Sequence, residues 1–411
     1  MPLPVYILGF VIFTQGTSEF MLSGLLPNIA DDLGVSIPDA GLLISAFAIG
    51  MVVGAPLLAL TTLRWPRRTA LVALQAVFIA AHVVGALAPG YGVLFATRVI
   101  SALVYAGCWG VALAAAVSLV PAGARGRAVA TVAGGLTLAT IVGVPAGTLL
   151  SQYAGWRAAF WAVAAATLVS LVCTVFAVPD GRGAATPGHS AATELRGLAR
   201  PQLWLSYAVT AFTFGAVIVT FSYLASLLTD VSGVSEGWVP GVLALFGVGG
   251  LLGIAAGGRL AEAHPMRTLG WGLVGLLAVS AALALTARHA GVVVALVFVL
   301  GFVAWVTNPA LQSRVFALAP GAPTLAGAGN TAAFNVGNTL APMLGGAAID
   351  AGYGFASVAW VGAGLAAVGL AAALVAARAG RRTPPSTNGP AASTAGQAPE
   401  PVEHATAPRT A

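Results

Sequence analysis

Glu19 stands in GFVIFTQGTSEFMLSGLL, a stretch with no other charge. An ionisable group inside an apolar helix costs at least ~2.5 kcal/mol on insertion scales, so such a group faces a cavity or a partner. Arg98, the one charge in VLFATRVISALVYAG, is the candidate partner. A carboxyl placed in this way can take up and release a proton. Burial disfavours its charged form and a nearby cation favours it, so conformation and ligand decide between the two. The alternative is a packing ion pair. A buried pair gains little net stability over apolar residues of the same size, which favours the proton site.

Four further constellations have spacing that could do work. The loop between the second and third apolar runs carries Arg64, Arg67 and Arg68, and the loop between the eighth and ninth carries Arg259, Glu262 and Arg267. Short basic loops can dock on the negative C-terminal ends of helices and on Glu262, as gating contacts that break when the molecule rocks. Topology alone would also place arginine there. Gly143, Pro145 and Gly147, after Gly134 and Gly135, let helices approach closely and bend a span, which makes a packing or gating seam and not a binding motif. Asn330, Phe334 and Asn338 recur every four residues with Asn335 beside them, forming one polar and aromatic stripe. Amides in hydrocarbon need partners, so this stripe faces a cavity or binds two helices together. Gln15, Tyr105, Trp109, Phe212 and Phe221 complete a candidate substrate pocket, mostly apolar with a few orienting groups, and Tyr223, Trp305 and Asn308 are weaker members.

The elements that must hold these residues follow from composition. Of 411 residues 58% are hydrophobic and 7% charged, with mean hydropathy +0.93. That is too little polar side chain to coat a water-facing surface, so the chain is a multi-pass membrane protein. Apolar runs near 5–26, 40–61, 69–88, 93–119, 128–151 and 158–178 precede the first polar linker, and runs near 203–228, 239–258, 269–287, 291–311, 325–349 and 355–377 follow it. Twelve helices are expected. The first run passes Glu19 and lacks a basic leader, which predicts a retained helix. Domain bounds follow: 1–178, a cytoplasmic linker 179–201, 202–377, and a polar tail 378–411 rich in Pro, Ala, Thr and Ser.

With the N-terminus in the cytoplasm, Arg157 and Arg288 face outward, Arg98 is buried, and the other arginines lie inside. This asymmetry predicts that both termini are cytoplasmic. Cys108 and Cys173 fall in apolar runs and give no disulfide framework, and His82, His264 and His289 are scattered, so no metal site is expected. The chain has no lysine, which rules out a P-loop and ATP hydrolysis through one. No filter-like or charged pore ring is present, and the basic balance reflects topology, not nucleic-acid binding.

The two halves repeat at an offset of 199 residues: Asp31 and Gly34 meet Asp230 and Gly233, Gly54 meets Gly253, Pro66 and Arg68 meet Pro265 and Arg267, Gly147 meets Gly346, Gly155 meets Gly354, and Trp161 meets Trp360. Two six-helix bundles related by an axis along the membrane normal, with a solute site between them, is a design of secondary transporters.

The stretches GTSEFMLSGLLPNIADDLGVS, AGLLISAFAIGMVVGAP, RWPRR, GVPAGTLLSQYAGWRAAFWAV and APTLAGAGNTAAFNVGN closely resemble the major facilitator superfamily, in particular its twelve-helix bacterial drug/proton antiporters that export chloramphenicol. The resemblance covers nearly all of 1–377. It implies that Arg98 is the family's helix 4 arginine, Glu19 a membrane-embedded acid of helix 1, and Gly143 to Gly147 part of the antiporter motif of helix 5. The sequence departs from the pattern at Leu63, where an acid is usual, at Pro66, where glycine is usual, and at Ser101 and Ala102. The expectation is a transporter, not an enzyme: an all-α, twelve-helix membrane protein in two pseudo-symmetric bundles. It would lie in the inner (plasma) membrane, act as a monomer without cofactor, and exchange protons for a small molecule of the amphenicol class, conferring antibiotic resistance. Export of an endogenous sugar, nucleoside or amino acid derivative is the rival within the class, and a non-transporting membrane sensor the rival outside it.

Overall fold

Hydrocarbon offers a backbone no hydrogen-bond partner, so a chain this apolar must satisfy its peptide groups within each span. The computed structural model describes residues 1–62, 65–180, 200–319 and 323–382, and among these there is no strand. Twelve helices cross the molecule: α1 (Leu3–Leu33), α2 (Ile37–Thr62), α3 (Arg67–Ala86), α4 (Tyr91–Ser118), α5 (Arg125–Ala154), α6 (Trp156–Ala177), α7 (Pro201–Ser222), α8 (Val239–Ala263), α9 (Pro265–Thr286), α10 (Ala290–Leu318), α11 (Pro323–Ala348) and α12 (Ser357–Arg382). Eleven are long and apolar enough to cross a bilayer, and α11 is the exception. At 26 residues its length suffices, but Asn330, Asn335 and Asn338 hold its hydropathy down, and all three are buried in protein instead of facing lipid. Arg64 and Leu63, most of the linker and nearly all of the tail lie outside the described residues.

Proline accounts for two of the irregularities. In α5 a π turn at Ala139–Gly143 stands directly before Val144 and Pro145. Pro145 cannot donate to the Ile141 carbonyl and its ring crowds that oxygen, so the turn widens. Pro309 acts similarly in α10, which breaks between Val306 and Asn308. The internal repeat is visible in the backbone: Gly34 (φ 63°) and Gly233 (φ 69°) form one left-handed pair, Gly155 (φ 78°) and Gly354 (φ 70°) another, each 199 residues apart. Only glycine adopts such angles without a steric penalty, so the same turn chemistry ends the same helix in both halves.

Burial orders the helices. In α1 and α7, which the repeat superposes, 78% and 72% of the apolar window is buried, against 39% in α6 and α12, where Trp161 and Trp360 are exposed. Hence α1 and α7 run through the middle, and α6 and α12 face lipid. Two seams join the halves, α2 against α11 and α5 against α8, pairs that the repeat interchanges. In the first, Ser45 donates to the Thr339 carbonyl at 2.8 Å and the Tyr223 ring lies over Gly41, where a Cβ would meet its Cζ at 2.9 Å. In the second, Gln152 donates to the Glu236 carbonyl at 2.6 Å.

Candidate functional site

Glu19 is the one buried acid among the described residues. It sits on α1, with buried Tyr105 of α4 in the same cluster. Arg98, one helix face away on α4, is wholly buried, yet no ion pair joins it to Glu19 among the described residues. The expected pairing is corrected accordingly. The guanidinium donates from Nη1 to Ser18 Oγ at 2.7 Å and from Nη2 to the Ser18 carbonyl at 2.9 Å, and lies 4.3 Å over the Phe47 ring. A cation in hydrocarbon is thereby held by one serine and one aromatic face. The serine continues to α3, where its hydroxyl lies 2.7 Å from His82 Nε2.

Glu19 also forms part of the wall of a cavity between the halves. Ser23, Phe47, Ile218, Ser222 and Asn338 line it too, and the Ser222 hydroxyl and Asn338 Oδ1 have no protein partner. A second cavity adjoins it through Phe20, Ile218 and Phe221. Its lining is almost wholly apolar, with Phe214, Phe246, Trp305 and Phe334 around a single Thr140. The two enclose about 20 and 10 Å³, room for a water or two. A drug-sized ligand needs several hundred, so the halves must separate before one can enter.

Of the sequence-predicted pocket residues, Phe221, Phe334 and Asn338 line these cavities, as does Trp305. Phe212 does not: its Cβ lies 3.3 Å from where a Cβ on Gly369 would stand, against α12, and Phe214 takes the place expected for it. Two residues amount to about 200° around a helix, so the two side chains leave α7 on nearly opposite faces. Gln15 points to Cys108, its Nε2 3.4 Å from Sγ, and Trp109 packs edge-on to Tyr105 at 6.3 Å, so both lie behind the cavity wall. Asn330 binds helices together, accepting from Thr210 at 2.8 Å, while Asn335 donates to the Thr331 carbonyl of its own helix at 3.0 Å.

The basic loops divide. Arg67 hydrogen-bonds Ser118 at the C-terminal end of α4, and Arg68 pairs with Asp180 beyond α6 at 3.0 Å. Arg259, Glu262 and Arg267 are exposed and make no ion pair among the described residues. The second half has its own tie, from Arg314 Nη1 of α10 to Met266 Sδ at 2.6 Å, with Arg314 Nε on Ser206 at 2.8 Å. Met266 stands where the repeat places Arg67, so the cation has moved to the other side of the same contact. Gly143 closes on Thr17 of α1 and Gly147 lies 3.3 Å, by its would-be Cβ, from Met21, with Pro145 between them, so this stretch packs α5 on α1.

The residues missed in sequence are Ser18, His82 and Phe47, which are polar or aromatic in ways common to packing. The repeat would have drawn attention to them: Ser18, Glu19, His82, Arg98 and Tyr105 correspond to Val217, Ile218, Ala281, Val297 and Ala304. One half keeps a polar cluster where the other is apolar.

Two pseudo-symmetric six-helix bundles around a central cavity, with a buried carboxyl in its wall, define a carrier of the secondary-transport type. The chain belongs to the Major Facilitator Superfamily, whose family model matches residues 8–332. It is 42% identical over 372 residues to a chloramphenicol resistance protein of Streptomyces lividans, covering 90% of this chain and 95% of that one. It is 38% identical over 376 residues to the inner membrane transport protein YdhP of Escherichia coli K12, covering 91% and 96%. Its fold is similar to that of a bacterial homolog of the human lysosomal transporter Spinster, solved inward-facing and unoccupied, with a TM-score of 0.74, 18% identity and 92% and 96% coverage. The chain is thus a multi-pass membrane transporter.

Proposed function

We propose that this transporter exports chloramphenicol or a related amphenicol in exchange for protons, by alternating access, from the bacterial inner membrane with both termini cytoplasmic. The observation that carries the reading is the position of Glu19: the one buried carboxyl among the described residues, shared between a polar cluster and a cavity that both halves line. A proton from outside neutralises it, and drug and proton favour opposite states. The aromatic cavity suits the apolar body of such a drug, and Asn338 and Ser222 offer the few polar groups that orient it. The resistance phenotype in the name of the Streptomyces lividans relative supports the substrate class. The chain needs no cofactor for this and works as a monomer.

One proton per neutral drug draws on ~2.3 kcal/mol per 100 mV and ~1.4 kcal/mol per pH unit. At about 100 mV and one pH unit the total of ~3.7 kcal/mol sustains a roughly five-hundredfold drug gradient. The test is uptake of labelled chloramphenicol by everted vesicles under an imposed proton gradient. Wild type accumulates drug above empty-vector vesicles, whereas Glu19→Gln, fixed in the neutral form, shows no gradient-driven accumulation. Accumulation by Glu19→Gln equal to wild type removes Glu19 as the proton carrier, and wild type equal to empty vector removes the substrate.

A further inference from the structure

The contact between α1, α3 and α4 has a direction. Arg98 can only donate, so Ser18 Oγ accepts from it at 2.7 Å. The serine proton is then free for His82 Nε2 at 2.7 Å, which must carry a lone pair. His82 Nδ1 bears the ring proton and gives it to the Phe78 carbonyl at 2.9 Å. All four roles fit one neutral tautomer, held by stacking on Phe78 at 4.1 Å and by Phe160 of α6 at 5.6 Å. Groups facing the ring are Arg98 and Ser101 from α4 and Ser18 from α1, with Glu19 and Tyr105 further along the same cluster; α6 presents only the apolar Phe160.

Resting on the function proposed above, we infer that His82 is a positioning residue which, through Ser18, parks Arg98 one residue short of Glu19 and so withholds a direct counter-ion from the proton-carrying carboxyl. The ring acts as an acceptor and not as a proton carrier. Without it the serine hydroxyl loses its fixed direction and the guanidinium is free to swing to Glu19. An opposite charge in contact favours the carboxylate, so proton binding to Glu19 then needs more acid.

The experiment is equilibrium binding of labelled chloramphenicol to the purified full-length protein across a pH series. In wild type, drug binding falls as acid protonates Glu19. In His82→Phe, which keeps the aromatic stack, the midpoint of that fall moves to lower pH by about one unit or more. Ser18→Ala moves it in the same direction, and provides a second route if the first variant is not recovered folded. His82→Gln, with an amide oxygen near the Nε2 position and no ionisable group, restores the wild-type midpoint. A His82→Phe midpoint equal to wild type overturns the inference, and so does a His82→Gln midpoint equal to that of His82→Phe. Glu19→Gln separates the two readings: pH-independent binding there, with His82→Phe unshifted, rejects only the role of His82, whereas an unaltered midpoint in Glu19→Gln rejects Glu19 itself.

Discussion

Alternating access requires the α5–α8 seam to open and close, and Gly247 makes it sensitive to one methyl group. A Cβ there would lie 2.8 Å from Ile141 Cα and 2.8 Å from the Thr140 carbonyl oxygen. Carbon contacts settle at about 3.5–4.0 Å, so Gly247→Ala must push the helices apart by roughly 1 Å. Both obstacles are backbone, and no rotamer change relieves them. Overpacking of this kind costs about 1–3 kcal/mol, and the up to ~1 kcal/mol that alanine gains over glycine as a helix former is common to the open and closed seam and cancels. The bias against the closed seam is on the order of five- to 150-fold. Gly258, on the same helix with nothing within 4 Å, supplies the control, because Gly258→Ala gains the helix preference without the clash. The readout is the distance between spin labels at positions 152 and 236, which touch across this seam through the Gln152 to Glu236 hydrogen bond. Gly247→Ala populates longer distances and Gly258→Ala does not. Equal distance distributions in the two variants refute the argument.

Two further outcomes follow from packing. Phe214→Ala weakens chloramphenicol binding by about tenfold, since it strips an aromatic wall from the cavity, while Phe212→Ala leaves affinity unchanged; equilibrium binding on the two variants compares them directly. Arg157→Ala, which removes the ion pair with Asp32 at the end of α1, lowers stability by less than ~1 kcal/mol, because the side chains are 39% and 44% exposed. Thermal unfolding in detergent reads this, and a shift of tens of degrees would mean the pair is buried in the bilayer-embedded protein.

The span count and the repeat were legible in sequence because hydrophobicity and glycine spacing report directly on what lipid and tight turns demand. Gly34 and Gly155 predicted their partners, and the backbone angles agree. Helix faces were harder. Phe212 and Phe214 differ by two positions in a helix that is apolar all round, so no periodicity told which one turns inward. The asparagine stripe split between Asn330, which binds a neighbouring helix, and Asn338, which faces the cavity, because spacing aligns residues without naming what stands opposite. Arg98 and Glu19 were read as a pair from opposite charge and matching depth. Ser18 was invisible to that argument, since a serine that captures a guanidinium is indistinguishable in sequence from one that returns its proton to its own helix.

The repeat left the buried charges in one bundle and hydrocarbon at the matching positions of the other, with Ile218 and Val297 where Glu19 and Arg98 stand in the first. Such a machine runs in a single fixed gear. If Glu19 carries the exchanged ion, no second buried carboxyl among the described residues can add leverage when conditions worsen. A cell whose pH difference collapses while about 100 mV remains keeps ~2.3 kcal/mol per cycle, and the concentration ratio it can defend drops to roughly fiftyfold.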